Sequence, residues 1–479
     1  MSIRGQFLSG LKWTVFGRIA TQVVTWAVTI YVMRLLDTAD YGLMALAAIF
    51  SALLTMLAEM GLGSALVRTR NLTPYQIRQV FGIVLLTNLG VCVLMAGAIA
   101  PLAALFFGDA RLEPVIQVIA LHFIPAAFAV IPASQLARDM KFRGRAIADF
   151  SSSVGGAFIV LALAYQGYGV FSLAWGSIAQ ATIRAIALNI ARPYAFAPIF
   201  RFAGCGSMFS FGGNVAATQL VWYFYSQADA LLIGRMLGKH DLGVYSVSME
   251  LASLPASRAS QILNQIVFPT LSSIQRDGSS IGPYLMKGLR GVSLLSFPVM
   301  WGISSIAPEL VMGLLGEKWR EAITPLAILC LIMPLRVLSP LLHNGLYAVG
   351  RADMSFQITC VTAVTMLTAF LVGIQFGVIG VSLAWLIGFP TVFLFNLLRS
   401  GRHMDLSARE MAAALIPPAV ACGLMYGTVS LVRPTLKWSA PANLAALILV
   451  GAAVYSVFTL IFNRRGLAEA RALLGSRSD

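Results

Sequence analysis

The sequence predicts an all-α protein that crosses a membrane many times, and three observations carry that prediction. Of 479 residues, 58% are hydrophobic and only 11% are charged, against about 25% charged in an ordinary soluble domain. The mean hydropathy is +0.82. The apolar residues fall in long unbroken runs, each able to span a bilayer core as a helix. Such runs exclude a β-barrel, whose strands alternate in polarity.

Taken in order, the runs give fourteen candidate spans. The first six lie near 11–33, 41–66, 79–107, 114–136, 147–166 and 168–190. A second six lie near 207–234, 242–268, 288–315, 322–349, 355–376 and 378–398. Two more follow near 411–432 and 440–462. The first run is full length and lacks a small-residue cleavage site, so it is expected to stay as an uncleaved span. The breaks at 166–168 and 376–378 are short and contain glycine, as tight turns do.

Lysine and arginine placement orients the spans. Counting from the N-terminus, every second loop with the span ends that meet it holds 23 of the 34 Lys and Arg residues, the intervening loops 8, and the span interiors 3. The positive-inside rule then puts both termini in the cytoplasm. The net charge of +15 follows this topology and does not indicate nucleic acid. Cys92, Cys205, Cys330, Cys360 and Cys422 form no CxxC pair, which argues against disulfides and structural zinc. No P-loop motif occurs, the four histidines are scattered, and no loop is long enough for a soluble catalytic domain. These features disfavour a membrane-embedded transferase or polymerase and predict that the chain is not an enzyme.

The two sets of six spans repeat one another. Arg34-Leu-Leu with Asp40-Tyr-Gly recurs as Arg235-Met-Leu with Asp241-Leu-Gly, an offset of 201. Ser172-Leu-Ala-Trp175 recurs as Ser382-Leu-Ala-Trp385, an offset of 210. Pro125 and Pro132 of the fourth span have counterparts in Pro334 and Pro340 of the tenth. Six-span repeats share one orientation, so their axis runs along the membrane normal. The expected organisation is an N-lobe (1–190), a cytoplasmic linker (191–206) with the basic, proline-containing stretch Ala191–Arg201, and a C-lobe (207–398). Helices thirteen and fourteen (399–462) and an amphipathic cytoplasmic tail (463–479) complete it. Two lobes about such an axis enclose a central cavity, the layout of an alternating-access transporter.

Several motifs resemble the polysaccharide transporter (Wzx/WzxC-like oligosaccharide flippase) family of the MOP exporter superfamily. They are Arg34-Leu-Leu with Asp40-Tyr-Gly, Glu59-Met-Gly-Leu-Gly63, the run Leu136-Ala-Arg-Asp-Met-Lys-Phe-Arg143 and Gly167-Tyr-Gly-Val-Phe-Ser-Leu-Ala174. The similarity covers roughly residues 5–400, and the run ending at Arg143 is its most specific piece. It implies movement of undecaprenyl-diphosphate-linked oligosaccharide from the cytoplasmic to the outer leaflet of a bacterial inner membrane. The substrate, membrane lipids and a polysaccharide polymerase or co-polymerase are the expected partners. A cation-coupled multidrug antiporter of the same superfamily and a lipid II flippase are the alternatives.

A diphosphate in a low-dielectric cavity calls for arginine, whose planar fork matches phosphate oxygens. Arg18, Arg258 and Arg336 are the basic residues committed to span interiors, and are the expected diphosphate contacts. The alternatives are that Arg18 snorkels to the interface or that each arginine neutralises a nearby acid. Thr14, Arg18, Gln22, Thr25 and Thr29 share one helical face in span one. Gln22, Thr25, Glu59, Glu250 and Gln261 are expected to line the cavity or balance its charge. Asn214, Thr218 and Asp229 of span seven form a candidate site for a coupling Na⁺ or H⁺, by the resemblance to flippases with a second-lobe cation site; the alternative for Asp229 is a solvated helix end. His122 and His343 are expected to pack in apolar surroundings. No metal centre or cofactor beyond a coupling cation is expected.

Overall fold

The computed structural model describes residues 21–22, 24–59, 73–139, 142–193, 197–200, 223–256, 280–404, 406–436 and 438–462. Helices and their connections make up all of it, with no strand among the described residues. Among the described residues nine segments are long and apolar enough to cross a membrane, or ten if one bent pair counts as a span. Large apolar side chains lie exposed on the outer helix faces, Leu105 at 81% and Leu431 at 77% among them. That much apolar surface requires a hydrocarbon solvent.

Contacts divide the chain into two compact units, 1–243 and 244–479. The first holds α1 (Val24–Leu35), α2 (Thr38–Glu59), α3 (Pro74–Phe107) and α4 (Leu112–Arg138). It continues with α5 (Phe142–Tyr165), α6 (Val170–Ala191) and α7 (Ala228–Met236). Helix α3 begins at a capping box in which Thr73 and Gln76 satisfy each other's backbone N–H groups, as the Thr-x-x-Gln spacing dictates. It reaches Pro101 through a π-helical turn, Met95–Ile99, which absorbs the hydrogen bond that proline cannot make. Helix α4 is broken at Leu121–His122. Val80, Phe81 and Val84 of α3 pack on Ala127 and Ile131 of α4. Leu136, Ala148, Ala185 and Leu188 join α4, α5 and α6.

Helix α8 (239–256) starts in the first unit. The second unit contains α9 (Gly282–Ser305), α10 (Ile323–Ala348), α11 (Ala352–Gly373) and α12 (Gly377–Gly401). Helices α13 (Ala408–Val432) and α14 (Ala440–Phe462) follow. The span expected over 288–315 is not continuous. Helix α9 bends by 67° into a short helix, Ala307–Leu314, where Pro308 sits in the first turn. Arg433, after α13, donates to the Ser305 carbonyl exposed by the bend and pairs with Glu309 at 2.7 Å.

The turns expected at 166–168 and 376–378 are present, and each places a glycine where φ is positive: Gly167 (φ 82°) and Gly377 (φ 70°). These two glycines are 210 residues apart, the offset of the second repeat motif. Alternate connections also share a side. In the first unit Asp109, between α3 and α4, pairs with Lys239, and Thr38 bonds His240 at 2.7 Å. At the other end Asp139 pairs with Arg192 at 3.7 Å, and Arg78 donates to the Ala197 carbonyl at 2.9 Å.

Candidate functional site

Of the three interior arginines, the described residues include Arg336. It lies midway along α10, half-buried, with its guanidinium carbon 4.4 Å from the centre of the Trp385 ring on α12. One N–H donates to the Met249 sulfur on α8 at 3.3 Å. The Trp385 indole N–H donates to the Tyr245 hydroxyl at 2.9 Å, which fixes the ring beneath the cation. Phe370 and Phe389 close around the same ring, at 5.3 and 5.8 Å between centroids. Among the described residues no carboxylate pairs with Arg336. Its charge is held by an aromatic face and a polarisable sulfur, and most of its planar donor fork is left for an anion.

Among the described residues, the positions equivalent to these in the first repeat carry different chemistry. At an offset of 210 Trp385 corresponds to Trp175, which is 42% exposed where Trp385 is 2% exposed. At 209, the spacing of Pro125 and Pro334, Arg336 corresponds to Ala127, which packs against α3.

Arg18, Arg258, Gln261, Asn214 and Thr218 lie outside the described residues, as does the side chain of Glu59. Gln22, just ahead of α1, and Thr25 on α1 are half-buried. Thr25 spends its hydroxyl on the carbonyls of Thr21 and Gln22, at 2.8 and 3.2 Å. Glu250, next to Met249 on α8, is exposed. Asp229 is 4% exposed in the first turn of α7, where one carboxylate oxygen accepts the Ala230 amide at 2.8 Å. It is therefore buried rather than solvated. His122 and His343 are largely enclosed, and each ring makes one hydrogen-bond contact: Ser177 O at 3.4 Å and Ser355 Oγ at 2.8 Å.

A second feature was not anticipated from the sequence. The two repeat-related glycines Gly42 and Gly243 face each other where α2 crosses the start of α8. A Cβ on Gly42 would overlap the carbonyl oxygen of Lys239, and a Cβ on Gly243 would overlap that of Thr38. Lys239 and Thr38 each precede a glycine of the pair by four residues, so the contact is reciprocal about a local two-fold axis. The Thr38–His240 bond and the Asp109–Lys239 pair fasten the same end. Burial raises the Asp109 pKa, but the Lys239 ammonium and the Arg111 amide outweigh it and hold the carboxyl below its ordinary value of 3.8. Asp149 was missed as well: it bridges Arg184 at 3.0 Å and Arg145 at 3.9 Å. Its spacing of four from Arg145 was the available signal.

A family profile described as "Polysaccharide biosynthesis protein" matches residues 31–324. The chain belongs to that family. It is 22% identical over 398 residues to the lipopolysaccharide biosynthesis protein WzxC of Escherichia coli (strain K12), covering 81% of this chain and 79% of WzxC. It is 23% identical over 478 residues to the teichuronic acid biosynthesis protein TuaB of Bacillus subtilis (strain 168), covering 96% of each. The fold is similar to that of the lipid II flippase MurJ in an inward closed conformation, with a TM-score of 0.72 and 15% identity. That match covers 94% of this chain and 99% of MurJ.

Proposed function

We propose that this polysaccharide-biosynthesis-family protein is a flippase. It moves undecaprenyl-diphosphate-linked oligosaccharide units from the cytoplasmic to the outer leaflet of a bacterial inner membrane. In this reading it is a transporter and not an enzyme. Fourteen helices form two six-helix lobes about a pseudo-two-fold axis along the membrane normal, with α13 and α14 added and both termini cytoplasmic. The observation that carries the reading is a family match over residues 31–324 in a chain that keeps a carboxylate-free arginine, among the described residues, inside a membrane span.

Arg336 holds the diphosphate from the second lobe, with Arg18 and Arg258 as entry contacts nearer the cytoplasm. Gln22, Thr25, Glu59, Glu250 and Gln261 balance charge along the path. Asp229, with Asn214 and Thr218, takes a coupling Na⁺ or H⁺. The crossing of α2 and α8 at Gly42 and Gly243 is the outer closure, which parts when the outward-facing state forms. A polymerase or co-polymerase receives the product on the far side.

The test is complementation of a strain whose own copy of this gene is deleted. Wild type restores surface glycan, and the triple variant Arg18→Ala, Arg258→Ala, Arg336→Ala accumulates lipid-linked oligosaccharide in the inner leaflet. Normal glycan in the deletion strain, with raised sensitivity to organic cations, would instead establish a drug antiporter.

A further inference from the structure

Away from the Arg336 site, the second unit has a cavity of about 540 Å³ lined by Arg351, Met354, Phe395, Leu398, Arg399, Arg402 and His403. These residues come from the start of α11 with the connection before it and from the end of α12 with the connection after it, and the lysine and arginine distribution assigns both ends to the cytoplasmic side. Three guanidinium groups converge there from positions up to 51 residues apart in the chain. Arg399 is pre-set: it donates to Gln357 Oε1 at 2.9 Å and lies 5.8 Å from the centre of the Phe395 ring. Arg351 is forked onto Asp353 by two bonds of 3.1 Å, so one of the three charges is locally compensated. Arg402 is exposed and pairs with no carboxylate among the described residues. His403 Nδ1 lies 3.3 Å from the Arg399 carbonyl oxygen.

Phe395 (38% exposed) and Leu398 (45% exposed) put apolar surface beside these charges. A basic recess at a helix end with an apolar wall beside it matches a lipid whose phosphate sits at the interface and whose chains run along the helices. We propose that this recess between the ends of α11 and α12 binds the phosphodiester headgroup of an anionic phospholipid of the cytoplasmic leaflet. Arg399 and Arg402 hold the phosphate, and Phe395 and Leu398 receive the glycerol and upper acyl chains. Basic pockets between membrane helices on this side recognise such headgroups by the same chemistry. The site is separate from the proposed transport path, and only its leaflet rests on the cytoplasmic orientation proposed above.

The experiment uses the full chain, purified and delipidated in a neutral detergent, with bound lipid counted by native mass spectrometry. The added lipids are dioleoyl phosphatidylglycerol, dioleoyl phosphatidylcholine and undecaprenyl diphosphate. Wild type should retain phosphatidylglycerol over phosphatidylcholine. Arg402→Gln should weaken phosphatidylglycerol binding about five-fold, and Arg399→Gln with Arg402→Gln about 25-fold, at about 1 kcal/mol per basic residue near a headgroup. Arg143→Gln removes an exposed charge in the first turn of α5 and should change nothing. An equal loss in Arg143→Gln would mean diffuse surface charge, and no phosphatidylglycerol preference would mean topology determinants only; either overturns the site. Loss of undecaprenyl diphosphate alone in the Arg402 variant would also overturn it, by making the recess a substrate port.

Discussion

Arg336 owes its place to what surrounds it rather than to an acid. A guanidinium on an aromatic face gains about 0.5–2 kcal/mol, depending on how far it is desolvated, and keeps donors free for phosphate. Arg336→Ala should therefore reduce glycan export to near background while the protein still reaches the membrane. Arg336→Lys should give partial export, since an ammonium keeps the charge but loses the planar stack on Trp385. Export scored against protein abundance checks both, and wild-type export in Arg336→Ala would remove the residue from the path. The sequence marked Arg336 as a buried cation because few charges interrupt the apolar runs. It could not mark Trp385, which lies 49 residues further on and meets Arg336 only when α10 packs on α12. Asp109 makes a second residue-scale prediction. With its folded pKa held below 3.8, its pair with Lys239 contributes fully above the ordinary carboxylate pKa of about 3.9. The contribution is lost as pH falls through the lower folded value. Melting followed from pH 7 down to pH 3 should show an acid limb that is shallower in Asp109→Asn.

Helices make the most legible scale, because each apolar run in the sequence is one physical requirement: no unpaired backbone in hydrocarbon. The expected span 440–462 is observed as Ala440–Phe462, and the turns at Gly167 and Gly377 stand where the breaks were read. The bend after α9 was not read, although Pro308 was visible, since membrane helices tolerate proline in many places. What makes this proline a break is Arg433, 125 residues away, which satisfies the Ser305 carbonyl and binds Glu309. Arg433→Ala strips a charged partner from both and should destabilise the junction of α9 and α13 by about 1–3 kcal/mol. A fall in the melting temperature of the purified protein measures this, and restoration by Glu309→Gln in the same chain would attribute the loss to the unpaired acid. The crossing of α2 and α8 offers the sharper element-scale test. Gly42→Leu drives a side chain into the Lys239 backbone, and overpacking of this kind costs about 1–3 kcal/mol. The loss should appear as greater labelling, by a membrane-impermeant thiol reagent, of a cysteine placed at His240. Unchanged labelling would show that the crossing accommodates the larger residue.

For the whole molecule, the sequence repeat bears on one contact: Gly42 and Gly243, which meet within the first unit, are equivalent at an offset of 201. The repeat was legible as spaced motifs, but the meeting of its glycines was not, because a motif records similarity and not contact. Divergence between the halves is equally informative. The first keeps Ala127 and an exposed Trp175 where the second has Arg336 and a buried Trp385, so at this pair of positions the second repeat carries the cation. If alternating access is the mechanism and this crossing is its closure, holding the crossing shut must stop transport without touching that cation. Thr38 and His240 bond across this end at 2.7 Å, close enough for a crosslink between side chains. The double variant Thr38→Cys, His240→Cys should form a disulfide under oxidation and lose export. Reductant should restore export, and neither single variant should respond to oxidant. Full export from a chain shown by gel shift to be crosslinked would mean that the crossing stays closed throughout the cycle, and the moving closure would have to lie elsewhere.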